Sequence, residues 1–168
     1  PRPLVAGHEA GEGVLRAGNN LALGAVANSI TVGNGGALDI NGRTLQGYTQ
    51  HIFITGTGAA STPTLGALGN GLGGQFLDAI RDIELTGDAT VGGDGGRWDI
   101  GRIDFNADPS VTVDHITGNG FVLTKVGTSY LGLLTGASNL AGFVANGGIV
   151  APHENTSFGA GPVTVNAG

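Results

Sequence analysis

The chain has 168 residues, a formal charge of −6, 40% apolar residues and only 5% aromatic ones. Without a cysteine it can form no disulfide, thiolate metal site or cysteine nucleophile. A negative chain with one lysine, Lys125, argues against nucleic acid or an anionic membrane as partner, and no stretch reaches the ~18 apolar residues of a spanning helix.

Glycine, at 34 residues, is about three times its usual share of roughly 7%. It does not recur at every third position as in collagen. β-Branched residues and leucine recur in every window, unlike a glycine-rich disordered chain. Short apolar pairs between glycines describe a chain that turns a corner every few residues. A chain that starts at Pro1 and contains no Met reads either as one whose leader was removed or, the favoured reading, as an excised stretch of something longer.

Pro1–Glu12 reads as a polar lead-in. From Gly13 a period-two alternation begins: Val14-Leu15, Leu21-Ala22-Leu23, Ile30-Thr31-Val32 and Ala37-Leu38-Asp39-Ile40. Corners fall at Gly18-Asn19-Asn20, Asn34-Gly35-Gly36 and Asn41-Gly42-Arg43. His51–Thr55 is the cleanest strand of the first half, and Gly56–Gly74 breaks the rhythm around one weak strand at Thr64–Leu68. Phe76–Leu85 fits a helix with Phe76, Leu77, Ile80 and Ile83 on one stripe, or a strand at Ile80–Leu85 with Ile83 and Leu85 inward. The flanking strands favour the second. Ala89–Val91, Arg97–Ile100, Ile103–Phe105 and Val111–Val113 follow as strands, with turns at Asn106–Pro109 and Thr117–Gly120. Strand centres about seven to ten residues apart put three strands in roughly 20–25 residues, the range of solenoid repeats.

The last third is the most regular. Val122–Val126 and Tyr130–Leu134 read as strands parted by Gly127-Thr128-Ser129, Gly142–Val150 repeats the plan, and Gly161–Gly168 closes with one more strand. Leu123, Leu131, Leu133, Val144, Val163 and Val165 are expected to point inward, with Lys125 and Thr164 out of phase. Five pieces occur in order: Leu123-Thr124-Lys125-Val126-Gly127, then a second and a third within Gly127 through Leu134 to Leu140, then Val144-Ala145-Asn146-Gly147-Gly148-Ile149-Val150, then Phe158 through Pro162-Val163-Thr164-Val165-Asn166. This series resembles the autotransporter-associated β-strand repeat of bacterial surface-protein passenger regions. Leu140 stands where that pattern has an aromatic corner residue, and the coil after it is one strand short. Gly36–Leu45 and Leu85–Val91 look like segments that commonly precede the repeat.

The strand pattern predicts an all-β fold, a parallel β-helix (β-solenoid) of about six to seven coils over 1–168. Its right hand comes from the resemblance and from the chirality of parallel crossovers. Residues 121–168 are the best-matching repeat, and the whole is expected to be part of a longer repetitive chain. The resemblance implies a non-catalytic stalk or adhesin segment, exported to the bacterial outer surface or secreted. Its expected partners are neighbouring coils or copies end to end, and surface glycans or other cells; the anchoring membrane barrel is not in these residues. Two other readings stay open, a self-assembling extracellular filament or sheath subunit and a β-helix carbohydrate-active enzyme.

The chemistry-bearing residues are few. Gly92–Ile100 matches the first positions of a calcium-binding nonapeptide, but Arg97 stands where a carboxylate must be, and no second copy follows. Arg97, Asp99, Arg102 and Asp104 form the one cluster that suits a lyase or a glycoside hydrolase. A solvated face of Arg–carboxylate pairs beside an inward Trp98 explains it more simply. Asp78, Asp82 and Glu84 are a second acidic group. His8, His51, His115 and His153 lack zinc spacing, and no G-x-S-x-G elbow occurs. No catalytic, cofactor-binding or metal-binding residue is assigned, and no cofactor is expected.

Overall fold

The structure, a computed structural model, describes residues 8–10, 13–25, 27–45, 51–102 and 115–166. Among these residues the fold is all-β, without a helix. The first strands are β1 (His8–Ala10), β2 (Gly13–Arg16), β3 (Ile30–Val32) and β4 (Gly36–Asp39), followed by β5 (Ile52–Gly56), β6 (Leu68–Asn70) and β7 (Gln75–Ile80). The long β8 (Ile83–Gly93) and β9 (Arg97–Ile100) come next, then β10 (His115–Thr117), β11 (Val122–Lys125) and β12 (Tyr130–Leu133). The chain closes with β13 (Gly136–Ser138), β14 (Gly142–Ala145), β15 (Ile149–Pro152) and β16 (Val163–Val165).

These strands form a twelve-stranded and a four-stranded sheet whose ladders are all parallel. Each strand pairs with one from the next return of the chain, never with its sequence neighbour. Ile30 pairs with Ile52, Ile52 with Ile83, and Ile83 with Ile116, so four isoleucines stack in one column. β8 spans a corner, and its far end carries a second column: Leu15, Leu38, Leu68, Val91, Lys125, Ala145, Val165. The four-stranded sheet adds Phe76, Trp98, Leu131 and Val150. This arrangement is consistent with a β-solenoid.

Strands of three or four residues are stable here because period-two alternation aims one side chain in two at the same interior. Ile30, Ile52, Ile83, Ile116, Leu123, Leu131 and Leu133 are buried. Each such aliphatic side chain contributes roughly 1.5–3 kcal/mol from burial. Corners use the left-handed region, where asparagine is the best-tolerated residue after glycine. Asn41 and Asn119 have φ of 49° and 52°. Their side-chain amides donate to Ala17 O and Leu85 O of the preceding level, both at 3.1 Å. A corner thus satisfies a carbonyl that the ladder leaves free.

Several expectations are corrected. His8–Ala10, read as lead-in, is strand β1 on β3. Leu21–Leu23 is a turn, held by Leu21 N donating to the Asn19 side chain at 2.8 Å. The weak strand of the glycine-rich stretch falls at Leu68–Asn70, not Thr64–Leu68. Phe76–Leu85 contains two strands broken at Arg81-Asp82, with Ile83 and Leu85 inward as expected. β10 covers His115–Ile116, to which the sequence assigns no element, and ends at the first residue of the expected Thr117–Gly120 turn, while β13 overlaps the corner expected at Ala137–Leu140. Val144 pairs with Thr124 on the half-buried outer face, and Phe143 points inward instead. Lys125 is in phase with Leu123 and fully buried, because two residues separate them. Val163 and Val165 hold the inward register of Phe143 and Ala145 but are 47% and 78% exposed on the last described strand. Ile103–Phe105, Val111–Val113 and the turn at Asn106–Pro109 lie outside the described residues, as does Asp104.

Candidate functional site

Alternation along β9 puts Trp98 and Ile100 on the core face and Arg97 and Asp99 on the other, as the sequence predicts, but Asp99 is buried and not part of a solvated face. Arg97 Nε donates to Asp99 Oδ1 at 2.9 Å, and the Asp99 side chain is buried. Its register partner on β12 is Gly132, where any Cβ would overlap the Asp99 carboxylate. Only glycine there lets the acid lie flat against the next strand. The Arg97 guanidinium sits 4.9 Å from the centroid of the Tyr130 ring, a cation–π distance. Its pKa is raised, first by the hydrogen bond to Asp99 and then by that carboxylate's charge. The group is an ion pair clamped between adjacent levels. Hydrolysis by paired carboxylates needs two acids roughly 5–9.5 Å apart, one reaching solvent. Here the described cluster offers one, Asp99, and it is covered. Arg102 is half-buried and is not without a partner.

The second acidic group separates in space by role. Asp82 Oδ1 accepts from the His115 backbone N–H at 2.6 Å, and Glu84 accepts from Asn119 Nδ2 at 3.0 Å. Asp78 sits at the irregularity in β7 with φ of 52°. Among the described residues, no group of three His, Asp or Glu side chains is placed to hold a metal ion.

Two sites were not anticipated. The first is Lys125, which takes the place in the aliphatic column between Val91 and Ala145. It donates to the carbonyls of Val126 (2.8 Å), Gly127 (3.0 Å) and Gly147 (3.3 Å), at the corners of two successive levels. Burial lowers its pKa from 10.5 to about 8, opposed weakly by the Asp94 carboxylate. At neutral pH it is an ammonium that stitches corners together.

The second is a cleft of about 260 Å³ between residues 57–67 and the outer face of the β4–β6–β8 sheet. Leu65 and Ala59 pack on Ala37 and Val14, holding the loop against that face. Arg16 Nε donates to Asp39 Oδ2 at 2.8 Å on one side of the cleft, and the Thr64 hydroxyl donates to Asp94 on the other. Arg16 and Asp39 are register partners of β2 and β4. Nothing in their sequence separation signals that pairing. No known protein family, curated protein or solved structure matches the chain.

Proposed function

We propose that the chain is a stretch of right-handed parallel β-solenoid, six to seven coils long. On this reading it serves as a non-catalytic stalk or adhesive segment of an exported bacterial surface protein. The observation that carries this is the unbroken parallel register through Ile30, Ile52, Ile83 and Ile116, with connections of unequal length hung on a constant interior. Such a scaffold extends by repetition and presents its loops outward. In the polar cluster that most resembles an enzyme, Arg97 is held by Asp99 Oδ1 and the Tyr130 ring, and the Asp99 carboxylate is buried with its Oδ2 unpartnered. The test has two arms. Cells displaying the chain through an unrelated outer-membrane anchor should gain adhesion to glycan-coated or cellular surfaces. Purified protein incubated with pectins, alginates and xylans should release no reducing ends or unsaturated products. Release that disappears in Asp99→Ala would replace this reading with the lyase or hydrolase.

The filament reading is favoured by one observation. Val163 and Val165 stand exposed at inward register positions, and a further level of this chain or of a second copy would cover them. Sedimentation over a concentration series decides it: concentration-dependent growth supports the filament, and a monomer throughout removes it.

A further inference from the structure

We propose that the cleft between residues 57–67 and the β4–β6–β8 face binds one neutral pyranose residue of a glycan. The scaffold itself points to a built site here. Returns such as Ile30 to Ile52 and Phe143 to Val163 take 22 and 20 residues, whereas Ile83 to Ile116 takes 33 and Ile52 to Ile83 takes 31; the last of these carries residues 57–67. The surplus forms the cleft wall. That wall is packed tightly: Gly66 bridges antiparallel to Val91, and a Cβ on Gly58 would collide with the Gly66 carbonyl. A rigid loop hung on a regular scaffold is where recognition residues are usually carried.

The chemistry of the lining selects the ligand class. Asp39 is fully partnered, accepting from Arg16 Nε and from the backbone N–H groups of Asn41 (2.8 Å) and Gly71 (2.9 Å). It positions Arg16, whose side chain is 62% exposed and keeps its terminal nitrogens as donors. Thr64 and Asp94 offer a hydroxyl and carboxylate acceptors on the opposite side. Thr62 Oγ1 is buried and has no hydrogen-bond partner, a state that buried hydroxyls seldom keep. Leu65 and Pro63 add apolar surface suited to the C–H face of a sugar ring. The volume lies just below the ~300 Å³ at which drug-sized pockets begin, which suits one ring. Two carboxylates against one guanidinium leave the lining net negative, so uronic and sialic acids are disfavoured.

The proposal deepens the adhesive reading, and it is tested in a way that keeps the two apart. Saturation-transfer difference NMR on the full chain would use the methyl glycosides of glucose, galactose, mannose and N-acetylglucosamine, with methyl glucuronide as the anionic comparison. At least one neutral glycoside should bind with a millimolar Kd. Thr62→Val removes a hydroxyl that is unpartnered in the free protein, so folding is retained. It and the exposed Asp94→Asn should each weaken binding at least fivefold without lowering the Tm. Absence of transfer from every neutral glycoside, binding unchanged in both variants, or glucuronide binding as tightly would each overturn the site. Binding accompanied by cleavage would keep the cleft and sink the non-catalytic reading. Adhesion without glycoside binding would do the reverse.

Discussion

Replacing Lys125 by Met keeps an unbranched stem out to Cε and removes the ammonium with its three N–H donors. In the folded protein the carbonyls of Val126, Gly127 and Gly147 then lose their partner. Two of these bonds are short and one is long, and bonds from a charged donor contribute roughly 1.5–3 kcal/mol each. Against them stands the cost of burying the ammonium. A pKa lowered from 10.5 to about 8 corresponds to about 3 kcal/mol at roughly 1.4 kcal/mol per unit. The net loss in Lys125→Met at pH 7 should therefore be roughly 1–4 kcal/mol. The pH dependence carries a second signature. Below pH 8 both folded and unfolded chains hold the proton, so the burial cost is present in full. Between pH 8 and 10.5 the unfolded chain binds more protons than the folded one, so the parent protein gains stability as the pH rises. Met does not titrate, so the gap between parent and variant should widen by up to about 3 kcal/mol across that window. Urea titrations followed by far-ultraviolet circular dichroism at pH 7 and pH 10.5 measure both numbers. A variant as stable as its parent at pH 7, or a gap that is the same at both pH values, refutes the reasoning.

Leu131→Ala empties a fully buried position between Trp98 and Val150 and should cost roughly 2–5 kcal/mol, whereas Val144→Ala on the outer face should cost less than about 1 kcal/mol; the same urea titrations compare them. Gly58 and Gly120 share a positive φ, 87° and 83°, but only Gly58 faces backbone where its Cβ would be. Gly120→Ala should lose about 1–2 kcal/mol from the backbone alone, and Gly58→Ala roughly 2–4 kcal/mol. Similar losses at the two glycines would show that the 57–67 loop is not packed as described. Gly132→Ala should force the Asp99 carboxylate out of its slot and separate Arg97 from Tyr130, which a drop in Tm and a change in Tyr130 near-ultraviolet dichroism would report.

Strands with clear alternation were legible from the sequence. Ile30–Val32, Arg97–Ile100 and Tyr130–Leu133 fall where the apolar pattern puts them. β10 and β13 escaped because each offers one inward residue, Ile116 or Ala137, between polar or small neighbours. Leu21–Leu23 alternates just as well, yet the Asn19 side chain captures the Leu21 amide and turns the chain. Lys125 was misplaced by its charge: strand parity puts it beside Leu123, and parity wins because three carbonyls wait at the corner. The outward Arg97–Asp99 pair followed from spacing alone. The cleft did not, since Arg16 and Asp39 meet only through the register of β2 on β4, and Asp94 comes from the far end of the chain's fourth return.

The unequal returns have a consequence for how such a chain can vary. Ile52 and Ile83 keep the same facing as Ile30 and Ile52 although nine more residues lie between them. Side-chain facing is therefore independent of the length of a connection and fixed by the count within a strand. Removing one residue inside β4 would turn Leu38 outward and Asp39 into the aliphatic column, since every side chain downstream in the strand changes face. Lengthening or shortening the segment between β5 and β6 changes no facing at all. Insertions and deletions should accumulate at the corners, and the protein's surface can be rewritten one loop at a time while its interior stays in step.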